Sequence, residues 1–327
     1  MMKKACIVGY GGIGPVHARA LEKVKNARLY AVCDIDGERR KACKEQYDVV
    51  TYEDFDTMLL DEQVDTVHIC TPHYLHFPMV KKALAAGKGV VVEKPMAMKK
   101  EEFEELLTLP GNERVCVIFQ NRYNVCIEAM KRLVESGELG EITSARAIVT
   151  WYRSRSYYES GQWRGKWATE GGGVLINQAI HTLDYFNYLT GGVASVKANH
   201  YNYSLEDVIE VEDTFVAAME LKNGGKGIFF ATNAYAESAP PLFEIAFEKG
   251  HARYAEGKLF LNGELIAEDS KPEIGKAYWG NGHEALLRHY YDEGQYFHIE
   301  DARNTMETMY AMYKSAADGG RQCMITG

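Results

Sequence analysis

Nowhere in this 327-residue chain do about eighteen apolar residues run together, the length a membrane-spanning helix needs. The charged start Met1-Met2-Lys3-Lys4 is followed by an apolar run that ends at Gly9, too short for the core of a signal peptide. No basic block is present either. Lysine and arginine number 37 against 46 acidic residues, and a net charge of -9 argues against a nucleic-acid or anionic-membrane partner. The seven cysteines lack paired spacing, and Cys6, Cys33, Cys70 and Cys116 fall in predicted strands, where a free thiol acts as a small hydrophobe. A reducing compartment, the cytoplasm, is the expectation. His73 and His76 have no third ligand at a recognisable spacing, so no metal is expected.

What is present divides the chain in two. A single core rarely serves so long a chain, which leads us to expect a dinucleotide-binding domain over 1–122 and a substrate-binding and oligomerisation domain over 123–327. In the first, continuous apolar runs at 5–8, 29–33, 66–70, 90–92 and 115–119 suit strands buried on both faces of a parallel sheet. Helical patterns at 16–24, 38–46, 77–86 and 100–107 separate them, giving a doubly wound α/β fold. A further helix is predicted over 125–136, ending at Gly137.

Beyond it, longer strands are predicted at 142–151, 193–201, 213–221, 227–235, 243–248 and 252–255. Turns such as Lys222-Asn223-Gly224-Gly225 and Asn262-Gly263 have hairpin chemistry, so the second domain should be a largely antiparallel sheet. Helices at 174–189, 283–291 and 302–317 should flank it. Both alternating sets of 213–221 carry apolar residues, Phe215, Ala217 and Met219 against Val216 and Ala218. That pattern points to a partner subunit on the open face, a homodimer or homotetramer.

Gly9-Tyr10-Gly11-Gly12-Ile13-Gly14 fits G-x-G-x-x-G, follows a strand, opens a helix and precedes Asp34 at the end of the next strand. Gly9 permits the tight turn, Gly11 lets backbone approach a pyrophosphate, and Gly14 lets helix and strand pack. The phosphates would meet free N–H groups at the helix start. Asp34 should bind the adenosine ribose, and with Asp36 it disfavours a 2′-phosphate, so NAD is expected over NADP. Arg39 and Arg40 keep the NADP alternative open.

Three further clusters stand out. Thr71-Pro72-His73-Tyr74-Leu75-His76 lies at the carboxyl end of the run 66–70, and Glu93-Lys94-Pro95 closes the run 90–92. Gly171-Gly172-Gly173 precedes Asn177, His181 and Asp184, whose i, i+4, i+7 spacing places them on one helical face. Between 151 and 167 lies an aromatic and arginine-rich segment, with Tyr152 and Trp163 suited to a sugar or cyclitol ring. Tyr278-Trp279-Gly280-Asn281-Gly282-His283 should add to its rim.

Together the glycine loop, Asp34, the Thr-Pro…His segment, Glu-Lys-Pro, Arg122 and the GGG…N…H..D stretch resemble the glucose–fructose oxidoreductase/inositol dehydrogenase (Gfo/Idh/MocA) family over nearly the whole chain. The resemblance implies cofactor contacts at Gly9, Gly11, Gly12, Ile13, Gly14, Asp34, Thr71, Pro72, His73, His76, Glu93 and Lys94. It also implies that Lys94 lies beside the nicotinamide, faced across the cleft by Asn177 and His181, with Asp184, Arg122, Tyr152 and Trp163 toward substrate. Asn177 departs from the aspartate of the inositol dehydrogenases. An asparagine cannot carry a proton, though it can orient a hydroxyl. Oxidising a secondary alcohol requires a proton acceptor, and a lysine desolvated beside a positive nicotinamide becomes competent for it. His181 is expected to be a relay or second acid/base. The implied activity is an NAD-dependent dehydrogenase acting on a hydroxyl of a sugar, sugar derivative, glycoside or cyclitol. Redox-assisted glycoside cleavage with retained NAD and a non-catalytic dinucleotide-binding regulator are the alternatives.

Overall fold

The five unbroken apolar runs of the first third, joined by the short strand Val50–Tyr52, form a sheet of six parallel strands. They are β1 (Lys3–Val8), β2 (Ala27–Cys33), β3 (Val50–Tyr52), β4 (Thr66–Ile69), β5 (Gly89–Glu93) and β6 (Val115–Ile118), in the order β3-β2-β1-β4-β5-β6. Helices α1 (Gly14–Leu21), α2 (Gly37–Tyr47), α3 (Phe55–Leu59), α4 (His73–Ala85) and α5 (Lys100–Thr108) connect them. The order reverses between β1 and β4, so their carboxyl ends diverge and open the crevice where such sheets bind ligands. Asp36 caps α2 by accepting from the N–H groups of Glu38 and Arg39 at 2.9 and 3.3 Å.

The computed structural model describes residues 2–276 and 279–325. It separates into two units, Met1–Gln120 with Pro272–Asp301, and Asn121–Lys271 with Ala302–Gly327. The segment Pro272–Asp301, expected from the sequence in the second domain, therefore packs in the first unit. There α9 (Gly282–Arg288) lies against α1. Tyr278 lies outside the described residues.

In the second unit, α6 (Val125–Ser136) ends at Gly137 in the left-handed region, φ 66°. Then follow β7 (Ile142–Thr150), α7 (Arg155–Glu159), α8 (Ile180–Thr190), β8 (Val193–Tyr201), β9 (Thr214–Leu221), β10 (Lys226–Thr232), β11 (Leu242–Phe247), β12 (His251–Ala255), β13 (Lys258–Leu261) and β14 (Glu264–Glu268). After the return to the first unit come α10 (Arg303–Ala317) and β15 (Cys323–Met324). The nine strands run in the order β14-β13-β12-β11-β7-β10-β9-β8-β15, antiparallel except that β7 pairs parallel with β10. Asn262 and Gly263, both at positive φ (51° and 91°), turn β13 into β14.

Phe215, Ala217, Met219, Phe229 and Ala231 bury one face of β9 and β10, while α10 packs on β8 and on α8. The opposite face carries Val216 and Phe230 half-buried and Ile228 at 57% exposure. Among the described residues, no helix is long and apolar enough to cross a membrane. All seven cysteines are free, and six of them are buried.

Candidate functional site

The glycine loop separates the demands of the chain from those of a ligand. Gly9 sits at φ +88°, and a Cβ there would stand 2.7 Å from the carbonyl oxygen of Cys70. One on Gly14 would stand 2.8 Å from the oxygen of Gly9. At Gly11, by contrast, a Cβ would meet only the Arg39 guanidinium at 3.6 Å, and at Gly12 nothing within 4 Å. The outer glycines are required by packing, and the middle ones leave open backbone. No side chain caps α1 at Ile13; Pro15 has no N–H and Val16 donates its own to the Ile13 oxygen at 3.0 Å, which leaves the Gly14 N–H at the helix start for an anion. Asp34 accepts from the Tyr10 N–H at 2.6 Å and the Asp36 N–H at 2.8 Å, with an Arg39 nitrogen at 3.8 Å. A loop open to a pyrophosphate, followed by a carboxylate placed for a ribose, fits NAD.

Glu93 closes β5, and the Lys94–Pro95 peptide after it is cis. The Glu93 carboxylate is buried against His17 of α1 at 3.0 Å and His283 of α9 at 3.6 Å. The other ring nitrogen of His17 meets His68 Nδ1 at 2.9 Å, and His68 Nε2 accepts from the Tyr291 hydroxyl at 2.7 Å. One proton per ring satisfies this chain. Tyr291 donates to His68, His68 to His17, and His17 to the carboxylate. Burial pushes the Glu93 carboxyl up, but its bonds from His17 and His283 outweigh burial and hold it well below the ordinary range. Burial depresses His68 strongly and His283 more mildly, the latter against Glu93 and with the nearby Lys94 charge. His76 places its two ring nitrogens on the Pro95 and Thr71 carbonyls, at 2.8 and 2.7 Å, so it joins the Thr-Pro segment to the loop after Lys94. Pro72 precedes α4, and His73 opens it.

In the second unit, the continuous helix expected to align Asn177, His181 and Asp184 does not form. Val174–Gln178 is a π turn closed by the Ala179 N–H on the Val174 oxygen, and α8 begins only at Ile180. The cause is Glu212. Its carboxylate accepts from the N–H groups of Gly173 and Leu175 at 2.9 and 3.1 Å, and its carbonyl takes that of Val174 at 3.1 Å. A Cβ on Gly173 would come within 1.8 Å of that carbonyl. Asn177 leaves the turn to donate to the buried carboxylate of Glu170, which also takes the Gly165 N–H. Burial raises both Glu170 and Glu212 to about 7.

His181 and Asp184 share α8. Arg122 grips Asp184 with two bonds of 2.7 Å, Thr305 adds a third at 2.8 Å, and the guanidinium lies over the Tyr188 ring. Arg122 and Asp184 are thus brought to each other. Trp151 is buried with its N–H on the Ala239 oxygen, Tyr152 is exposed, and Trp163 is half-buried beneath the Arg164 guanidinium. Sequence reading missed His17, His68, Tyr291, Glu170 and Glu212, and His283, expected on the substrate rim, is instead buried against Glu93. Of the missed residues, His17, three residues after Gly14, and Glu170, directly before Gly171, lay close enough to a motif to be noticed.

Comparison with known proteins agrees with this geometry. Residues 3–120 match the family model described as "Oxidoreductase family, NAD-binding Rossmann fold", and 127–253 match the GFO/IDH/MocA C-terminal domain. D-glucoside 3-dehydrogenase of Escherichia coli (strain K12) is 27% identical over 97% of this chain and 96% of its own. Several other curated relatives align over about half of their own length. One is inositol 2-dehydrogenase of Rubrobacter xylanophilus, 32% identical over 54% of this chain and 49% of its own. The WlbA dehydrogenase of Bordetella pertussis, solved with NADH and UDP-GlcNAcA, superposes with a TM-score of 0.88 at 27% identity. That match covers 100% of this chain and 98% of that one. With a six-stranded Rossmann sheet, a glycine loop that fits NAD and both family domains matched in order, the chain belongs to the GFO/IDH/MocA family of NAD-binding oxidoreductases.

Proposed function

We propose that the protein is an NAD-dependent dehydrogenase that oxidises a secondary hydroxyl of a sugar, sugar derivative, glycoside or cyclitol, with Lys94 as acid/base. The observation that carries this reading is the placement of Lys94. It follows the last residue of β5 in a sheet whose glycine loop fits NAD, and the preceding Glu93 is fixed by two histidines. Relatives named for dehydrogenation of a glucoside and of inositol support the substrate class. Bound NAD supplies the hydride acceptor. Lys94 takes the hydroxyl proton, His181 serves as the second acid/base, and Asn177 orients a substrate hydroxyl. Arg122 and Asp184 support the site by fixing α8. Tyr152 and Trp163 offer ring faces to the sugar.

NADH formation during turnover of sugars and cyclitols tests the reading. Lys94→Met should lower turnover by about a hundredfold or more while NAD still binds. Product formation without net NADH would favour redox-assisted glycoside cleavage. Dinucleotide binding without turnover on any substrate would favour a regulator. We assign self-association to the open face of β9 and β10, around Ile228. Sedimentation of an Ile228→Glu variant should show smaller species than the wild type.

A further inference from the structure

Within the second unit, the ends of β7 and β10 enclose a cavity of about 280 Å³. Its walls include Tyr152, Arg153, Ser154, Arg155, Ser204 and Asn233. The two arginines differ. Arg155 is neutralised by Asp207 and by Glu159 at 3.7 Å. Arg153 makes no ion pair among the described residues. It rests over the rings of Trp151 and Tyr157, at 5.0 and 5.4 Å, and spends one nitrogen, Nη1, on the Tyr152 carbonyl at 2.8 Å. Its Nε–H and Nη2 groups keep the paired geometry that matches two anionic oxygens. Stacking on two aromatic faces fixes the guanidinium in advance, so little rotamer freedom remains to be lost on binding.

The cavity is connected to the π turn. Asn233, fully buried, donates to Tyr158 and to Gln178, both at 3.0 Å, and Gln178 directly follows Asn177. The Asn233 side-chain oxygen is buried with no partner. At about 280 Å³ the cavity falls just below the roughly 300–1,000 Å³ of complete small-molecule sites, so it suits part of a substrate.

We propose that this cavity is a subsite for an anionic oxygen group, a carboxylate or a phosphate, carried by the substrate away from the carbon that is oxidised, with Arg153 as its specificity-determining residue. The inference rests on the dehydrogenase reading for the rest of the substrate. Binding of the anion can nevertheless be read without turnover.

Two measurements test it. In the first, NAD⁺ reduction is followed with D-glucose, D-glucuronate and glucose 1-phosphate. The wild type should favour an acidic member by about tenfold or more in kcat/KM, and Arg153→Gln should remove that preference, lowering kcat/KM for the acidic member by about tenfold more than for D-glucose. Equal use of neutral and acidic sugars by the wild type, or an equal loss on all of them in the variant, overturns the proposal. In the second, D-glucuronate and inorganic phosphate are titrated calorimetrically into the NAD-loaded protein. Arg153→Gln should weaken whichever binds by about tenfold, and Arg153→Lys should weaken it less. Tighter glucuronate identifies the carboxylate, and tighter phosphate the phosphoryl group. No binding of either, or binding unchanged in Arg153→Gln, overturns the proposal even if every sugar fails as a substrate. Should Arg153→Gln not fold, the wild-type titration and preference decide alone.

Discussion

Asn177 donates its side-chain N–H to Glu170, a carboxylate with no exposed surface. An aspartate at that position could not donate while ionised, and it would set two carboxylates against each other in a low-dielectric site. The amide is therefore tied to its partner in the fold, whatever else it does. Asn177→Asp should cost about 1–3 kcal/mol of stability, with a larger loss at pH 8 than at pH 5.5. Chemical denaturation at the two pH values measures this. An unchanged midpoint at both would mean that the Asn177–Glu170 contact contributes nothing.

The buried pair Arg122 and Asp184 allows a second test. Their side chains are 10% and 2% exposed, and the carboxylate is fully engaged by Arg122 and Thr305. Arg122→Ala leaves a buried anion without its cation and should cost about 3–5 kcal/mol. Asp184→Asn keeps an acceptor for Thr305 and should cost less. Denaturant midpoints rank the two variants, and the reverse order would contradict the pairing.

Much of the first unit was legible because its strands are buried on both faces. Unbroken apolar runs marked β1, β2, β4, β5 and β6, whereas β3 was missed because its three residues, Val50–Tyr52, are all exposed or half-buried. Strands β13 and β14, the last two at one end of the second sheet, carry little burial to set a pattern. The hairpin turn at Asn262-Gly263 was readable because both residues need positive φ. Contacts between distant segments were not readable. His17, Glu93 and His283 meet only because Pro272–Asp301 returns to the first unit, and nothing local in the sequence marks that return. The π turn was read as plain helix because its cause, Glu212, lies 37 residues from Leu175.

The three glycines of the nucleotide loop should fail in different ways. At Gly11 a Cβ would make only an ordinary contact with the Arg39 guanidinium at 3.6 Å, and the φ is not left-handed, so Gly11→Ala should change stability by no more than about 0.5 kcal/mol. The methyl group would occupy the space a pyrophosphate needs, and NAD should bind at least about tenfold more weakly. Gly9→Ala, strained at φ +88° and crowded by the Cys70 backbone, should impair folding itself. Gly14→Ala, crowded by the Gly9 oxygen but free of that φ strain, should destabilise the loop less. Melting curves with and without NAD separate these outcomes. If Gly11→Ala bound NAD normally, the loop would not be the phosphate cradle.

The two units should respond to pH in opposite directions. In the first, burial depresses His68 and His283, so the folded state favours their neutral forms. That contribution is complete above the ordinary histidine value of about 6.5 and is lost as pH falls below it. In the second, Glu170 and Glu212 are raised to about 7, so the folded state favours their protonated forms. Their contribution is complete below about 4.5 and is lost as pH rises toward and through 7, on the order of a few kcal/mol in total. Hydrogen exchange resolved by peptide, corrected for the intrinsic pH dependence, would show this directly. Between pH 7.5 and 5.5, peptides spanning His68 and His283 should lose protection, while those spanning 165–178 and Glu212 should gain it. Glu212→Gln should flatten the second trend and leave the first untouched. Parallel trends in both units would mean that the carboxylates of the π turn are ionised throughout, and that Glu212 holds the turn as an anion.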